Sequence, residues 1–275
     1  MNYRHAFHAG NFADLVKHAT LTLVLEALGR DPAPLTVIDT HAGAGGYDLD
    51  GELARRTGEA AQGVFRLMAA KDAPPAFDRL KAAVRKGNPG GGVRFYPGSP
   101  SLIVAALRPR DRFIACELRE DDVALLNQTL APFSGAKAFQ TDGYGMAERE
   151  AGKGGRVFIL IDPPFERGDD YARLAATMAS VLLLDPEACM AVWLPLKDLE
   201  TFDAFLRSVE PIGADLLIVE TRLKPLTDPM KMNGCVMVVA NPPEGLEEPL
   251  ADACRWVADR LGDAGGKASV WRTGM

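Results

Sequence analysis

Residues 157–161 form an unbroken apolar run, Val-Phe-Ile-Leu-Ile, that leads directly into Asp162, Pro163, Pro164 and Phe165. A short run of β-branched and aromatic residues bounded by proline is typical of a fully buried parallel strand. Open α/β sheets bind their ligands at the carboxyl ends of such strands, which is where Asp162 stands. Two successive prolines fix φ twice and keep the chain from turning at once into a helix. The segment therefore holds a carboxylate, a backbone carbonyl and an aromatic ring around one point, which suits a flat heterocycle with an exocyclic amine.

Apolar strand patterns alternate with helical patterns along most of the chain. The strand patterns lie at residues 35–39, 112–117, 136–141, 156–161, 188–194, 214–220 and 235–240. The helical patterns lie at residues 11–29, 99–107, 120–130, 143–150, 168–184, 197–209 and 246–261. This alternation predicts an α/β fold with a doubly wound, mostly parallel sheet. No helical pattern separates the last two strands, so they are expected to pair antiparallel. Seven strands with the last one reversed resemble the topology of class I methyltransferases.

The connection between the first two strand patterns is unusually long. About 70 residues separate them, whereas a crossover connection needs only about a dozen. Helical patterns at residues 58–70 and 75–86 occupy the excess. We therefore expect residues 47–95 to form a small helical subdomain inserted into one domain that spans residues 1–275.

The same connection is basic, although the whole chain carries a net charge of −6. Nine basic and four acidic residues between Gly51 and Gly98 give that stretch +5, so the rest of the chain carries −11. The total charge alone argues against nucleic acid as a partner. A basic segment on an acidic body is typical of a nucleic-acid contact, but runs of charge are usually solvated helix faces. Charge alone leaves both interpretations open.

Two bulk properties indicate where the chain works. No apolar run approaches the roughly 20 residues of a membrane span, and no signal-peptide pattern is present, so no membrane is expected as a partner. The four cysteines are far apart and form no Cys-x-x-Cys pair. They are expected to be buried free thiols in a reducing compartment, which favours a cytoplasmic protein.

A small-residue loop at residues 42–46 follows the first strand pattern. Its glycines allow the backbone to approach a ligand closely. A nicotinamide dinucleotide site is disfavoured, because the Gly-x-Gly-x-x-Gly fingerprint would need a glycine in place of Asp48. A tight turn from strand to helix is the simpler alternative.

Carboxylates stand at the tips of successive strands. Glu117 ends the second strand pattern, Asp142 follows the third and Asp162 follows the fourth. A carboxylate at the second tip can accept both hydroxyls of a ribose, and one at the third can accept an adenine amine. Any one of them alone would more simply be a helix N-cap or a solvated loop residue. Three in succession favour a nucleoside-like ligand.

All four histidines lie in the first 41 residues. A metal site built from His5, His8 and His18 is disfavoured because no further ligand stands at helical spacing, so no metal is predicted. Lys17 and His18 are expected to face outward from an otherwise apolar helix. Residues 1–11 are too polar for core and are interpreted as an N-terminal tail near the active site.

Two other motifs have simple explanations. Ser99 precedes a helical pattern, so it is expected either to cap that helix or to offer donors to a bound carboxylate. Asn241-Pro242-Pro243-Glu244 resembles the motif of glutamine methyltransferases but lacks its aromatic residue. It also follows the last strand, so we interpret it as a strand terminator.

Taken together, these motifs resemble one family, the bacterial 23S ribosomal RNA adenine-N6 methyltransferases of the RlmJ type. Asp-Pro-Pro followed by an aromatic residue is the signature of amino-group methyltransferases that use S-adenosylmethionine. The more specific matching segments are residues 3–11, Ala13 and Asp14 with Lys17 and His18, and residues 39–45 and 96–100. One departure is Phe165, which stands where the family commonly has tyrosine and so loses a hydroxyl contact.

The resemblance implies roles for individual residues. Contacts to S-adenosylmethionine are implied for Lys17, His18, His41, Ser99, Glu117, Asp142, Gly143 and Asp162. Asp162 is implied as the catalytic residue, with the Pro163 carbonyl and the Phe165 ring holding the base. The resemblance also implies a monomer that methylates one adenine of protein-free 23S rRNA.

Candidate RNA contacts are basic or lie in the N-terminal tail. They are Tyr3, Arg4, Arg55, Arg56, Arg85, Lys86, Arg222 and Lys224, with Lys231 nearby.

Three alternative functions share parts of the sequence pattern. A DNA adenine methyltransferase would have the same Asp-Pro-Pro segment, although no separate target-recognition domain is evident. A protein glutamine methyltransferase would favour asparagine at position 162, and a non-catalytic RNA-binding protein would need neither Asp162 nor Glu117.

Overall fold

The computed structural model describes residues 4–227 and 232–273. Its strands are β1 (Leu35–Asp39), β2 (Gly46–Asp48), β3 (Phe95–Pro97), β4 (Arg112–Glu117), β5 (Ala136–Gln140), β6 (Arg156–Ile161), β7 (Cys189–Leu196), β8 (Leu216–Arg222), β9 (Gly234–Ala240) and β10 (Lys267–Thr273). Its α-helices are α1 (Phe12–Leu28), α2 (Glu52–Thr57), α3 (Glu59–Gln62), α4 (Val64–Ala69), α5 (Asp78–Gly87), α6 (Ser99–Ala106), α7 (Glu120–Leu130), α8 (Gly143–Ala151), α9 (Asp170–Leu184), α10 (Leu199–Val209) and α11 (Glu247–Leu261). Short 3-10 helices lie at His5–Phe7, Pro75–Phe77 and Glu210–Ile212.

The main sheet has the strand order β10-β8-β9-β7-β6-β1-β4-β5. The pairs among β5, β4, β1, β6 and β7 are all parallel. Strand β9 lies between β7 and β8 and is antiparallel to both. This arrangement confirms the predicted doubly wound sheet and the predicted reversal near its end.

The main sheet has eight strands, one more than predicted, and the small β2-β3 ladder was not predicted either. Strand β10 pairs antiparallel with β8 at the edge of the sheet. Its sequence, Lys-Ala-Ser-Val-Trp-Arg-Thr, has no apolar run, and its residues are half-buried or exposed. An edge strand buries little of either face, so the apolar pattern that marks the central strands is absent here.

The central strands bury both faces. In β6, Phe158 and Leu160 join the core under α1, α6 and α11, whereas Val157, Ile159 and Ile161 join the core under α8, α9 and α10. Because successive side chains in a strand point to opposite faces, a strand covered on both sides must be apolar throughout.

The segment between β1 and β4 starts and ends in a small ladder. Strands β2 and β3 pair antiparallel, with Tyr47 opposite Tyr96. Helices α2–α5 lie between them, and Leu67, Phe77 and Leu80 from this segment are fully buried. Helix α5 packs against α1, which joins the segment to the main body.

The order of the strands creates the crevice that holds the candidate site. From β1 the sheet extends through β4 on one side and through β6 on the other. Ligands of doubly wound sheets bind at the carboxyl ends of the strands at such a switch point. Asp39, Glu117 and Asp162 all lie at this edge.

Two further expectations concern composition. All four cysteines are free and buried, as predicted. Within the described residues, no helix has the length and apolarity that a membrane crossing requires.

Candidate active site

A cavity of about 260 Å³ opens at the carboxyl ends of β1, β4 and β6. Its lining brings together every residue for which the family resemblance implies cofactor binding. These are Lys17, His18, His41, Ser99, Glu117, Asp142, Gly143 and Asp162.

Glu117 is held rigidly at the end of β4. Its Oε2 accepts a hydrogen bond of 3.0 Å from the Gly43 N–H. Its Oε1 accepts hydrogen bonds from the N–H groups of Leu118 and Arg119, at 2.7 and 2.9 Å. Gly43 has a φ of +59°, and a Cβ there would lie 2.3 Å from the Tyr47 hydroxyl. The glycine loop thus approaches the carboxylate in a way that a larger residue would prevent.

Asp142 caps helix α8 and also lines the cavity. It accepts a hydrogen bond of 3.2 Å from the Tyr144 N–H, and it forms an ion pair with Arg173. Asp142 is therefore a helix N-cap, as the simpler alternative predicted, and it lines the cavity as well. The neighbouring Gly143 packs against the backbone of Thr40, where a Cβ would lie 2.1 Å from the carbonyl oxygen.

Ser99 does not cap helix α6, so that expectation is wrong. Gly98 is the N-cap, and the Ser99 hydroxyl instead donates a hydrogen bond of 2.6 Å to Asp39 Oδ2. Asp39 is fully buried, and burial raises the pKa of its carboxyl to about 6 against the opposing hydrogen bond from Ser99. The sequence assigned no role to Asp39, although its place at the tip of β1 marks it in the same way as Glu117.

Two histidines of the cavity are held neutral. Burial lowers the pKa of His18 to about 3 and that of His41 to about 4. His18 Nδ1 lies 2.8 Å from the Tyr96 hydroxyl, whereas Nε2 is buried and has no hydrogen-bond partner among the described residues. The expectation that His18 faces outward is wrong, because its side chain faces this cavity and is almost fully buried.

Lys17 is also buried rather than outward-facing. Its Nζ lies 2.9 Å from Asp14 Oδ1 and 2.5 Å from Asp162 Oδ2. Burial opposes the charge on Lys17, but the two carboxylates outweigh it and raise the pKa of the ammonium well above its usual value.

Asp14, the second carboxylate beside Lys17, is itself held by hydrogen bonds. Its Oδ2 accepts hydrogen bonds from His5 Nε2 at 3.0 Å and from the Gly10 N–H at 2.8 Å. Burial favours the neutral carboxyl, but His5 and Lys17 outweigh it, so the pKa of Asp14 lies well below its usual value. Sequence reasoning assigned no role to Asp14, although its spacing of three residues from Lys17 on one helix is a usable signal.

A second, larger cavity of about 670 Å³ lies on the other side of Asp162. Pro163, Phe165 and Trp193 line it, and it shares His5, Lys17, Asp162 and Pro164 with the first cavity. The carboxylate of Asp162 therefore stands between two adjoining spaces.

Phe165 adopts an unusual backbone conformation, with a φ of +49°. Its ring lies 4.7 Å from the Tyr171 ring and 5.9 Å from the Trp193 ring, measured between centroids. Left-handed conformations of non-glycine residues are costly and concentrate at functional sites. The packing against these two rings holds Phe165 in the wall of the larger cavity.

The candidate RNA contacts do not converge on one place. Arg4 lines the first cavity and lies 3.0 Å from Asp121. Arg55 lies 3.6 Å from Asp50, and the guanidinium of Arg56 lies over the Phe7 ring.

The other basic candidates lie elsewhere. Arg85 and Lys86 are exposed in the last turn of α5 and line neither of these two cavities. Arg222 is half-buried and paired with Glu220, and Lys224 is half-buried. Tyr3 and Lys231 lie outside the described residues.

The segment at Asn241 is remote from this edge. Because β9 is antiparallel to β7, its carboxyl end lies beside the start of β7, with Ala240 opposite Met190. The Asn241 side chain donates hydrogen bonds to the carbonyls of Pro186 and Ala188. This position supports its interpretation as a strand terminator.

No group of three metal-ligating side chains occurs among the residues that the structure describes. His5 and His8 instead bond to different carboxylates, Asp14 and Glu59.

Comparison with known proteins decides the family. Residues 32–273 match the family model described as Ribosomal RNA large subunit methyltransferase D, RlmJ. The chain belongs to this family. An Escherichia coli K12 protein named Ribosomal RNA large subunit methyltransferase J is 33% identical over 273 residues, which cover 98% of each chain. A Haemophilus influenzae protein of the same name is 30% identical over 264 residues, which cover 95% of this chain and 94% of that one.

A solved structure agrees with the family at the level of the fold. The crystal structure of a Legionella pneumophila protein matches with a TM-score of 0.88 at 26% identity, covering 96% of this chain and 98% of that one. The resemblance drawn from the sequence is thus confirmed, as is the identification of the chain as a methyltransferase. The family uses S-adenosylmethionine as its cofactor.

The first cavity has features that fit this cofactor. His18 Nε2 and the Tyr144 hydroxyl are buried without a hydrogen-bond partner among the described residues, and both residues line the cavity. Buried polar atoms normally have partners, so these two indicate a ligand that supplies them. The carboxylate of Glu117 stands at the strand tip that suits a ribose.

Proposed function

We propose that this protein transfers a methyl group from S-adenosylmethionine to the exocyclic N6 of one adenine in 23S rRNA. One observation carries the proposal: the Asp162 carboxylate, beside Pro163 and Phe165, lies where the two cavities meet. A cofactor on one side and a base on the other would then share one carboxylate. The E. coli and H. influenzae relatives, both named for methylation of large-subunit rRNA, support the choice of substrate.

The first cavity would hold the cofactor through residues of four elements. Glu117 would accept the ribose hydroxyls, Asp142 with the Gly143 N–H would bind the adenine, and His18 and His41 would contact the rest. Ser99 is already bonded to Asp39, so its contribution would come through its backbone N–H. When bound, S-adenosylmethionine supplies an electrophilic methyl group on a sulfonium.

The second cavity would hold the target base. The nitrogen of an adenine amine is a poor nucleophile because its lone pair is delocalised into the ring. Asp162 Oδ2 faces Lys17, whereas Oδ1 has no hydrogen bond to the described chain and can accept one amine hydrogen. The Pro163 carbonyl can accept the other, and together they would favour a pyramidal nitrogen whose lone pair points into the first cavity.

The surrounding residues would position these groups. Lys17 fixes the Asp162 carboxylate by an ion pair of 2.5 Å, and accurate positioning is the main demand of a displacement at a methyl group. Asp162 would accept the proton that the amine loses, a role worth about 10²–10⁴-fold in rate. Phe165 would stack on the base, which contributes about 1–3 kcal/mol and offsets part of the cost of extruding it.

The basic segment would contact the RNA backbone. We propose that residues 47–95 form an inserted helical subdomain and that residues 1–11 form a tail beside the active site. The expectation that this tail lies outside the core is wrong for Ala9 and Asn11, which are buried where the tail joins α1. Arg85 and Lys86 have no ion pair among the described residues and are exposed, so they are the best candidates for phosphate contacts. Arg55, Arg56, Arg4 and Lys224 would add to them. Phosphate contacts would make RNA binding strongly dependent on salt.

The cellular setting is proposed from the family resemblance. We propose a cytoplasmic monomer that acts on protein-free RNA during ribosome assembly and requires no metal.

The test uses purified protein, S-adenosylmethionine and protein-free 23S rRNA that lacks the modification. After digestion to nucleosides, mass spectrometry should detect N6-methyladenosine with the wild-type protein and none with Asp162→Ala. Asp169→Ala removes an exposed carboxylate from the same loop and serves as the matched control, which should remain active. A methylated nucleoside of another kind, or transfer by Asp162→Ala, would overturn the proposal.

A further inference from the structure

A third cavity, of about 430 Å³, lies on the surface of the helical segment between β1 and β4. It is shallow and open, and it shares no lining residue with the two cavities beside Asp162. Its lining includes Phe65, Met68, Val93, Arg85, Gly91 and Gly92. We refer to it as the Phe65 cavity.

Phe65 is not needed to pack helix α4. Val64 and Leu67 of the same helix are fully buried, whereas Phe65 is 40% exposed. A large aromatic side chain left at the surface costs free energy that burial would recover. Other large apolar side chains of this protein are equally exposed, so exposure alone assigns Phe65 no role. What sets Phe65 apart is that its ring lines a concave surface on which a flat partner can stack.

A loop at residues 88–95 forms one wall of the Phe65 cavity, and the Asn88 side chain closes it. The Asn88 side chain accepts hydrogen bonds of 2.8 Å from the N–H groups of Arg94 and Phe95, and it donates to the carbonyls of Val84 and Phe95. These four bonds fix the two ends of the loop to each other. Within that loop, a Cβ on Gly91 or Gly92 would meet nothing within 4 Å, so bare backbone faces open space.

The charge around the Phe65 cavity favours an anionic partner. Arg85 lines the cavity. Arg66 follows the lining residue Phe65 in α4, and Lys86 follows Arg85 in α5. All three are exposed and have no ion pair within the described part of the chain. An exposed aromatic ring flanked by free guanidinium groups is the arrangement that binds an unpaired nucleobase and its phosphate.

The Phe65 cavity also lies close to the cavity proposed for the target base. Glu59 and Gln62 line that larger cavity, and Val64 donates a hydrogen bond of 2.8 Å to the Gly10 carbonyl beside it. Phe65 follows Gln62 by three residues, which span at most about 11 Å even when fully extended. The separation of these lining residues is therefore short enough for a single RNA strand to contact both cavities.

We propose that the Phe65 cavity binds a second, unpaired nucleobase of the substrate RNA, stacked on Phe65 with a neighbouring phosphate on Arg85. The proposal rests on the proposed function, since the occupant is part of the same RNA. The insertion then contributes recognition of RNA shape, because only an RNA with an unpaired base near the target adenine fills both cavities.

The first test measures the affinity of a 23S rRNA fragment that contains the adenine methylated in the assay above. Phe65→Ala should weaken binding about tenfold, in line with the loss of one stacked base. Phe65→Tyr should retain binding, and the affinity for S-adenosylmethionine should stay unchanged in both variants. Phe139→Ala is the matched control, because Phe139 is 37% exposed and lines none of the three cavities.

Salt dependence separates stacking from charge. Arg85→Ala should lower the slope of log affinity against log salt by about one, whereas Phe65→Ala should leave the slope unchanged. Equal affinity losses for Phe65→Ala and Phe139→Ala would overturn the proposal.

The second test identifies the base. Single abasic substitutions are placed at each unpaired position of that fragment, and one of them should weaken wild-type binding as much as Phe65→Ala does. That substitution should cost nothing further in the Phe65→Ala protein, because the interaction is already lost. Additive losses at every position would contradict the proposal.

A parallel assay of N6-methyladenosine at saturating RNA separates the proposed function from the proposed second base site. If wild type and Phe65→Ala both form N6-methyladenosine, the proposed function is upheld whatever the binding result.

Discussion

Lys17 and Asp162 are 145 residues apart in the chain, yet the Lys17 ammonium lies 2.5 Å from the Asp162 carboxylate. The pair joins helix α1 to the end of β6, and Asp14 completes it from the same helix. The carboxylate that would act on substrate is thus held by a buried cation with a second carboxylate behind it. Both stability and activity should depend on this arrangement.

Replacing Lys17 by methionine should destabilise the protein by about 3–5 kcal/mol, because two carboxylates lose their partner in a buried place. The free energy of unfolding, measured by urea denaturation, checks this. Lys137→Met, at an exposed position on β5, should change it by less than about 0.5 kcal/mol. Adding Asp14→Asn to Lys17→Met should recover part of the loss, and no recovery would mean that the cost is one of packing.

Replacing Asp162 by asparagine should lower kcat by about 10²–10⁴-fold, since the amide cannot accept the proton from the base. The affinity for S-adenosylmethionine should change little, because most of its proposed contacts come from other residues. Single-turnover kinetics and calorimetric titration measure the two quantities. A large loss of cofactor affinity with normal transfer at saturation would instead place Asp162 in cofactor binding alone.

His18 should make stability fall as the pH falls below about 6.5. Its pKa is about 3 in the folded protein, so the unfolded chain takes up the proton first. The stability that neutral His18 contributes is present above the unfolded pKa and is lost progressively towards the folded pKa, by about 1.4 kcal/mol per pH unit.

Urea denaturation between pH 7.5 and 5 should give a shallower pH dependence of the unfolding free energy for His18→Gln than for wild type. Asp39 contributes with the opposite sign, because its raised pKa stabilises at low pH, but it does so equally in both proteins. Equal slopes would count against a neutral, buried His18.

Two glycines of helix α8 offer a matched pair. Gly143→Ala should cost on the order of 1–3 kcal/mol, because its Cβ would lie 2.1 Å from the Thr40 carbonyl oxygen and backbone must shift. It should also weaken cofactor binding. Gly145→Ala, where a Cβ meets nothing within 4 Å, should stabilise the protein by about 0.5–1 kcal/mol. Thermal unfolding measures the stability of both variants, and titration measures their cofactor affinity. If the two variants have similar stability and similar affinity, the close approach at Gly143 is refuted.

Removing the basic residues Arg55, Arg56, Arg85 and Lys86 together should weaken RNA binding and lower the salt slope by up to about 3 for single-stranded contacts. Affinity measured between 50 and 200 mM salt gives the slope. A second quadruple variant at Arg30, Arg110, Lys137 and Arg207 removes the same charge from other exposed places. If both variants lower the salt slope by the same amount, the basic segment contributes only to the overall electrostatic field of the protein and makes no specific phosphate contacts.

The strands and their tips were predictable because central strands bury both faces and therefore carry an unbroken apolar run. The positions of Glu117 and Asp162 follow directly from the ends of those runs. Asp142 follows β5, an edge strand that was recognised from its place between two helical patterns. The reversal before β9 was equally predictable, since no helical pattern separates it from β8. Strand β10 was missed because it lies at an edge, has no apolar run and, unlike β5, does not stand between two helical patterns.

The sequence by itself determined the doubly wound sheet, the carboxylates at its edge and the membership of the methyltransferase family. Only the tertiary structure decided that Lys17 turns inward to Asp162, that Ser99 bonds to Asp39 rather than capping α6, and that two cavities meet at one carboxylate. Those contacts join residues far apart in the chain, and they depend on how a helix packs against a sheet. Local patterns of apolar and polar residues specify which elements form, whereas the distances between side chains on different elements arise only when those elements pack together.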